Sequence, residues 1–194
     1  MREVARGVAE RLGFALVDEE IVLRAAAEAG VEPRVVADAE KRRSFMDRAL
    51  GALSSNTDLS YGLAGVGGFT TPEGPVSDEL RDLIQVAIEE TAVRGSAVIV
   101  SHAASHALAS QPGVLRVLVT ASPSIRRARV ASERDLNEKD AARAVDESDA
   151  GRADYLKRFY GVKSELPTQY DVVVNTDRLS PQEAASLIAL AAGR

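Results

Sequence analysis

Apolar residues recur at helical spacing from the start of the chain. Val4, Val8 and Leu12 stand at i, i+4 and i+8, and the run stops at Gly13, which predicts a helix closed by a glycine. A short apolar stretch from Phe14 to Val17 ends in Asp18, after which Ile21, Val22, Ala25, Ala26 and Ala29 resume helical spacing up to Gly30. From Pro33, the positions Val36, Ala39, Met46, Leu50 and Leu53 predict a further helix with Lys41, Arg42 and Arg43 on its solvent face. Residues 54–76 carry Gly62, Gly65, Gly67, Gly68, Pro72, Gly74 and Pro75 without any sustained period, which predicts a long loop of the kind that serves as a lid or stays disordered. Ser77, Asp78 and Glu79 predict a capped helix start, and Leu80, Leu83, Ile84, Ala87 and Ile88 line one face up to Gly95.

The second half changes period. Ala97–Val100, Leu115–Thr120 and Asp171–Asn175 are short, nearly continuous apolar runs separated by helical sequence, the pattern of parallel strands buried on both faces. Between them, Ser122-Pro123 opens an Arg-rich helix to about Arg134, and Asn137 caps a longer one to about Tyr160. Ser180-Pro181-Gln182-Glu183 makes a capping box before the last helix. The expected architecture is α/β, with a mainly parallel sheet, in a single domain over residues 1–194.

Composition narrows the function. The 194 residues include no cysteine, which excludes disulfides, thiol nucleophiles and thiolate metal sites, and makes a cytoplasmic location the default expectation. No targeting segment and no membrane-length apolar run is legible. A net charge of −5 and an aromatic content of 4% argue against nucleic acid as a partner.

In an open parallel sheet, ligands bind beyond the carboxyl ends of the strands, which nominates Asp18, Ser101, His102, Ala121, Ser122 and the stretch Asn175 to Arg178. The helix after the Leu115–Thr120 run carries Arg126, Arg127, Arg129 and Arg134. Guanidiniums suit phosphate oxygens because each offers a planar fork of donors that keeps its charge. Equally simple is a solvated helix whose arginines pair with Glu133 and Asp135. On the next helix, Asp149, Arg152 and Tyr155 succeed one another by one turn, a face able to hold a sugar hydroxyl, a phosphate and a base or ribose edge. Spacing alone favours a plain surface ion pair between Asp149 and Arg152. His102 and His106 would share a face if a helix starts after Val100, yet no third zinc ligand is evident nearby. Val-Ile-Val-Ser-His at 98–102 lacks the glycines that a serine nucleophile elbow needs.

Several phrases together carry a family likeness: REVARGVAERLGFALVDEEIV at 2–22, GSAVIVSHAASHAL at 95–108, VLRVLVTASPSIRRARV at 114–130, DAGRADYLKRFYG at 149–161 and YDVVVNTDRLSPQEA at 170–184. Their order and spacing resemble the cytidylate kinase-like family of P-loop nucleoside monophosphate kinases. The resemblance implies a three-layer fold with helices on both faces of a parallel sheet, and phosphoryl transfer from ATP, with Mg²⁺, to a CMP-like monophosphate. Such transfer is chiefly positioning and charge stabilisation. By position, the resemblance implies that Arg2 lies at or beside the basic residue closing the glycine-rich loop, and that Arg126, Arg127 and Arg129 lie in the lid region. It further implies that Asp149 and Arg152 serve the monophosphate, and that Asp18 opens the monophosphate-binding segment. On this basis Arg2, Arg126 and Arg129 are the catalytic candidates, and Asp18, Arg127, Asp149, Arg152 and Tyr155 the substrate-binding ones.

The departures from the family pattern set further expectations. The first strand and glycine-rich loop would precede Arg2, so the strand between the 97–100 and 115–120 runs is expected to be missing or replaced, leaving backbone groups to satisfy. Three expectations follow: the true start lies upstream of Met1, the two flanking strands pair directly in a rewired sheet, or another chain, in a homo-oligomer or as a partner, supplies the strand. Ser101-His102 stands where Gly-Arg is usual, and Val145 where a basic residue is usual. The expectation is therefore a kinase whose transfer activity is impaired. The alternative is a non-catalytic pseudokinase, a nucleotide- or anion-binding module or a protein-interaction module.

Overall fold

The computed structural model describes residues 2–18, 21, 23, 24, 27, 75–100 and 103–193, with the backbone alone for 75–81. Among these, strands and helices alternate along the chain: α1 (Arg2–Leu12), β1 (Ala15–Val17), α2 (Pro75–Arg94), β2 (Ala97–Ile99), α3 (Ala104–Ala107), β3 (Val117–Thr120), α4 (Pro123–Arg134), α5 (Glu138–Tyr160), a 3₁₀ turn (Pro167–Gln169), β4 (Val172–Asn175) and α6 (Pro181–Ala192). The expected helix over 33–53 and residues 54–74 of the expected loop over 54–76 lie outside the described residues, and the loop's last two positions, Pro75 and Val76, are helical instead. The chain divides into two compact units, Met1–Ile21 with Gln85–Arg194, and Val22–Ile84.

Helix ends obey local chemistry. Gly13 adopts φ +67° after α1, a conformation that costs glycine nothing. The Asn137 side chain accepts the Asp140 N–H at 2.9 Å, and Ser180 and Glu183 complete the capping box of α6. Helix α2 begins at Pro75, two residues before the expected cap, so Ser77 lies in its first turn.

Among the described residues the strand pairing is parallel. β1 pairs with β2, placing Ala15, Leu16 and Val17 opposite Ala97, Val98 and Ile99, and β3 pairs with β4, placing Val117 to Thr120 opposite Val172 to Asn175. Among the described residues β2 and β3 are not paired to each other, so the flanking strands have not closed into a rewired sheet. The result is an α/β protein, with two short parallel sheets among the described residues.

Helices α1 and α6 pack together over the strands. Val4 and Val8 from α1, Ala184, Ala185 and Ile188 from α6, and Val174 from β4 form one buried cluster, against which Val98, Val117, Val119 and Val172 also pack. Val98 belongs to β2 and Val117 and Val119 to β3, so both sheets rest on the same apolar layer. Close approach requires small residues there: a Cβ on Gly7 would lie 3.0 Å from the Ala185 Cβ. Helices α4 and α5 pack as a second pair.

Candidate functional site

Parallel pairing puts the ends of β3 and β4 side by side, with Thr120 opposite Asn175. The next residue, Thr176, is buried and donates both its N–H, at 2.8 Å, and its hydroxyl, at 3.0 Å, to the Thr120 carbonyl. Arg129 reaches down from α4 and donates to the Thr176 hydroxyl at 3.0 Å and carbonyl at 2.5 Å. Asp177 accepts the Ser122 N–H at 2.7 Å, a carboxylate at the start of α4 where helix amides favour negative charge. Arg129 is therefore bound into the strand ends as a strut. At the end of β1, Asp18 forms an ion pair with Arg2 at 3.0 Å, so these two nominated residues do meet.

A seam of charge runs between α4 and α5. Arg126 donates to both Asp149 oxygens, at 2.5 and 2.7 Å, and Arg127 donates to Asp146 at 3.0 Å. The Arg126 hydrogen bond holds the Asp149 carboxyl below the usual carboxylate range against the opposing effect of burial, and the charges of Arg126, Arg127 and Arg152 add to it. Hence a third guanidinium stands close enough to act on the same carboxylate. Each of Arg126 and Arg127 also keeps a buried Nε with no hydrogen-bond partner. Buried donors are nearly always satisfied in folded proteins, so orphans of this kind mark strain or a place for another acceptor.

Arg152 turns to a different partner. Its Nε and Nη2 donate to Glu165 at 2.8 and 2.6 Å, and Nη2 lies 3.4 Å from the Tyr170 hydroxyl. Tyr170 donates to the same Glu165, and its hydroxyl is 3.3 Å from His106 Nε2. Burial is the main reason that the His106 imidazole is pushed below its ordinary value, and that the Tyr170 phenol is pushed up to about 12. Glu165 is held low chiefly by its bonds from Arg152. His106 also packs against the Tyr160 and Tyr170 rings, with centroids 5.7 Å apart in each case.

The nominated residues thus divide. Arg126, Arg127 and Asp149 assemble on one seam with Arg152 acting on it electrostatically. The surface ion pair expected between Asp149 and Arg152 does not form, because better-placed partners take each of them. Nor do the α4 arginines 126, 127 and 129 turn to Glu133 and Asp135; they reach Asp146, Asp149 and Thr176. Tyr155 joins an aromatic group, 4.7 Å from the Phe159 ring and 6.3 Å from Tyr160. Val145 is buried, which explains an apolar side chain at that position. Ser101 and His102 lie outside the described residues, and among those described no three His, Asp or Glu groups converge to hold a metal.

Glu165 and Tyr170 were not nominated by the sequence, whereas Thr176 falls within the nominated stretch Asn175 to Arg178. Glu165 lies in an irregular segment, where no periodicity assigns it a face; only its place a few residues past the Arg152 helix hints at a contact.

The model of the cytidylate kinase-like family matches residues 1–178. No curated protein matches the chain. Among solved structures, the chain is similar to the crystal structure of an uncharacterized protein from Eubacterium ventriosum, with 17% identity over 98% of this chain and 89% of that one and a TM-score of 0.66. At this identity the likeness shows a shared fold alone. Among the described residues, no helix is long and apolar enough to cross a membrane.

Proposed function

Because this chain belongs to the cytidylate kinase-like family, we propose that its α4–α5 seam binds the phosphate of a nucleoside monophosphate such as CMP. The observation that carries the proposal is the seam in which Arg126 grips Asp149 and Arg127 bonds the neighbouring Asp146, with buried Nε donors of Arg126 and Arg127 still lacking acceptors. A phosphate oxygen is a strong acceptor for a guanidinium, whose planar fork keeps its charge.

In this proposal ATP–Mg²⁺ is the phosphoryl donor, and phosphoryl transfer is impaired. Among the described residues no cluster of carboxylates gathers to hold a resident metal ion. Arg126 and Arg127 would bind and orient the monophosphate, Arg129 would hold α4 against the strand ends, and Asp149 would orient Arg126 and accept from a sugar hydroxyl. Arg2 would act at the end of β1 beside Asp18, the start of the monophosphate segment. The two sheets would form the wings of one three-layer P-loop-type structure, with a further parallel strand between β2 and β3 supplied by this protein or by a partner chain.

A second reading has its own support. Arg126, Arg127 and Arg152 already have internal carboxylate partners, as expected of a non-catalytic scaffold or interaction module that has closed its anion site. Calorimetric titration separates the readings. An impaired kinase binds both CMP and ATP–Mg²⁺, a relic pocket binds CMP alone, and a scaffold binds neither. Loss of CMP binding in Arg126→Ala supports the seam; unchanged binding in that variant overturns it.

A further inference from the structure

The partner that Arg152 has chosen is unusual for a phosphate-binding arginine. Two of its donors are taken by both oxygens of Glu165, the bidentate geometry in which a guanidinium would otherwise grip a phosphate. Glu165 does not belong to a helix or strand. It lies between Gly161, whose left-handed φ of +65° ends α5, and the 3₁₀ turn Pro167–Gln169, so the chain folds back and returns a carboxylate to a residue 13 positions earlier on α5.

We infer that Glu165 is a tethered internal competitor, a carboxylate that occupies the Arg152 fork and must swing away before a phosphate monoester can take its place. The inference rests on the phosphate reading of the α4–α5 seam and adds a gate to it.

Three observations support a gate over a plain structural bond. The Arg152 side chain is 44% exposed and that of Glu165 22%, so the pair is neither locked in a dry core nor free on the surface. An exchange of one anion for another at such a place carries a moderate cost, unlike the breaking of a deeply buried pair. The carboxylate is also poised: Tyr170 donates to it from one side, with His106 next to the phenol, so a second device holds the closed state. Finally, Arg152 stands one turn after Asp149 on α5, so a fork released by Glu165 belongs to the same helix as the Asp149 end of the seam.

A competitor of this kind divides apparent affinity by the fraction of molecules in which the fork is open. With a half-exposed ion pair holding the closed state, that reduction is about five- to tenfold. Glu165→Gln keeps the size and an acceptor for Tyr170 but removes the charge, and Tyr170→Phe keeps the ring while releasing one of the two hydrogen bonds to the carboxylate. Isothermal titration of the full chain with CMP, and separately with inorganic phosphate, reads the result at one pH and ionic strength.

Glu165→Gln should bind CMP about five- to tenfold more tightly than the wild type, and Tyr170→Phe should gain about two- to threefold. If Glu165→Gln gains affinity for inorganic phosphate alone, the gate stands and the nucleotide reading fails. If wild type and both variants bind CMP equally, the gate is overturned and the nucleotide reading stands. If none of them binds CMP or phosphate, both are overturned. Should Glu165→Gln fail to fold, Tyr170→Phe decides: a gain supports the gate, and wild-type affinity overturns it.

Discussion

Arg126 of α4 and Asp149 of α5, 23 residues apart, face each other in a bidentate pair with both donor–acceptor distances at or below 2.7 Å. That pair closes the gap between the two helices at the point where the charges of Arg127 and Arg152 also act. It is well formed in geometry yet only partly removed from water, with side chains 33% and 49% exposed. Solvent screening therefore limits what it adds to stability, whereas a ligand that excludes water would feel its full field.

Asp149→Asn and Arg126→Ala are each expected to cost no more than about 1 kcal/mol in urea denaturation. Arg126→Ala should nonetheless weaken CMP about tenfold or more, since hydrogen bonds to charged groups are worth about 1.5 to 3 kcal/mol. The folded Asp149 carboxyl lies below its ordinary value of 3.8. Its contribution to stability is thus complete above that pH and is lost as the pH falls through the lower folded value. Acid titration of Asp149→Asn should show a smaller loss there than the wild type, and identical curves would contradict the pairing.

Tyr170 should titrate late. The chain has four tyrosines, and the Tyr170 phenol is pushed up to about 12 by burial first and by its bond to Glu165 second. A raised phenol favours folding while the phenol is neutral in both states. That contribution is present below about 10 and is lost as the pH rises toward about 12. Tyrosinate absorbance should show a late component that Tyr170→Phe removes and that moves back toward 10 in Glu165→Gln. Identical high-pH titrations of wild type and Tyr170→Phe, apart from the overall amplitude, would disprove the enclosed hydroxyl.

Arg129 distinguishes a strut from a ligand. Its two bonds go to Thr176, a buried residue at the end of β4. Arg129→Ala should cost about 1 to 3 kcal/mol in denaturant melts, because the Thr176 acceptors lose their charged donor. Unaltered stability together with lost CMP binding would move Arg129 from the scaffold to the ligand.

Gly7→Ala tests the α1–α6 contact. The added Cβ would meet the Ala185 Cβ at 3.0 Å and the Arg11 guanidinium at 3.1 Å. Arg11 can move aside, but Ala185 is fully buried on a helix and has no rotamer to change. Overpacking costs about 1 to 3 kcal/mol and helix propensity returns about 1, so a net loss near 1 kcal/mol is expected in thermal melts. Adding Ala185→Gly should remove the crowding, and a double-mutant cycle without coupling would show that the helices do not meet there.

The α/β alternation and most helix ends were legible before any coordinates, because they arise within a few residues: Gly13 after α1, Asn137 before α5, and Ser180 with Glu183 before α6. Backbone hydrogen bonds reach at most four positions along a helix, so neighbouring side chains are sufficient to set such ends. The rim of the strands could likewise be nominated from topology, which brought Asp18, Ser122 and Asp177 into view. Charge pairing follows another rule. Spacing alone would join Asp149 to Arg152, but folding brings Arg126 to the first from another helix and Glu165 to the second from an irregular segment. A guanidinium takes the carboxylate that meets both arms of its fork, and two-armed geometry depends on how whole elements pack, which no local pattern encodes.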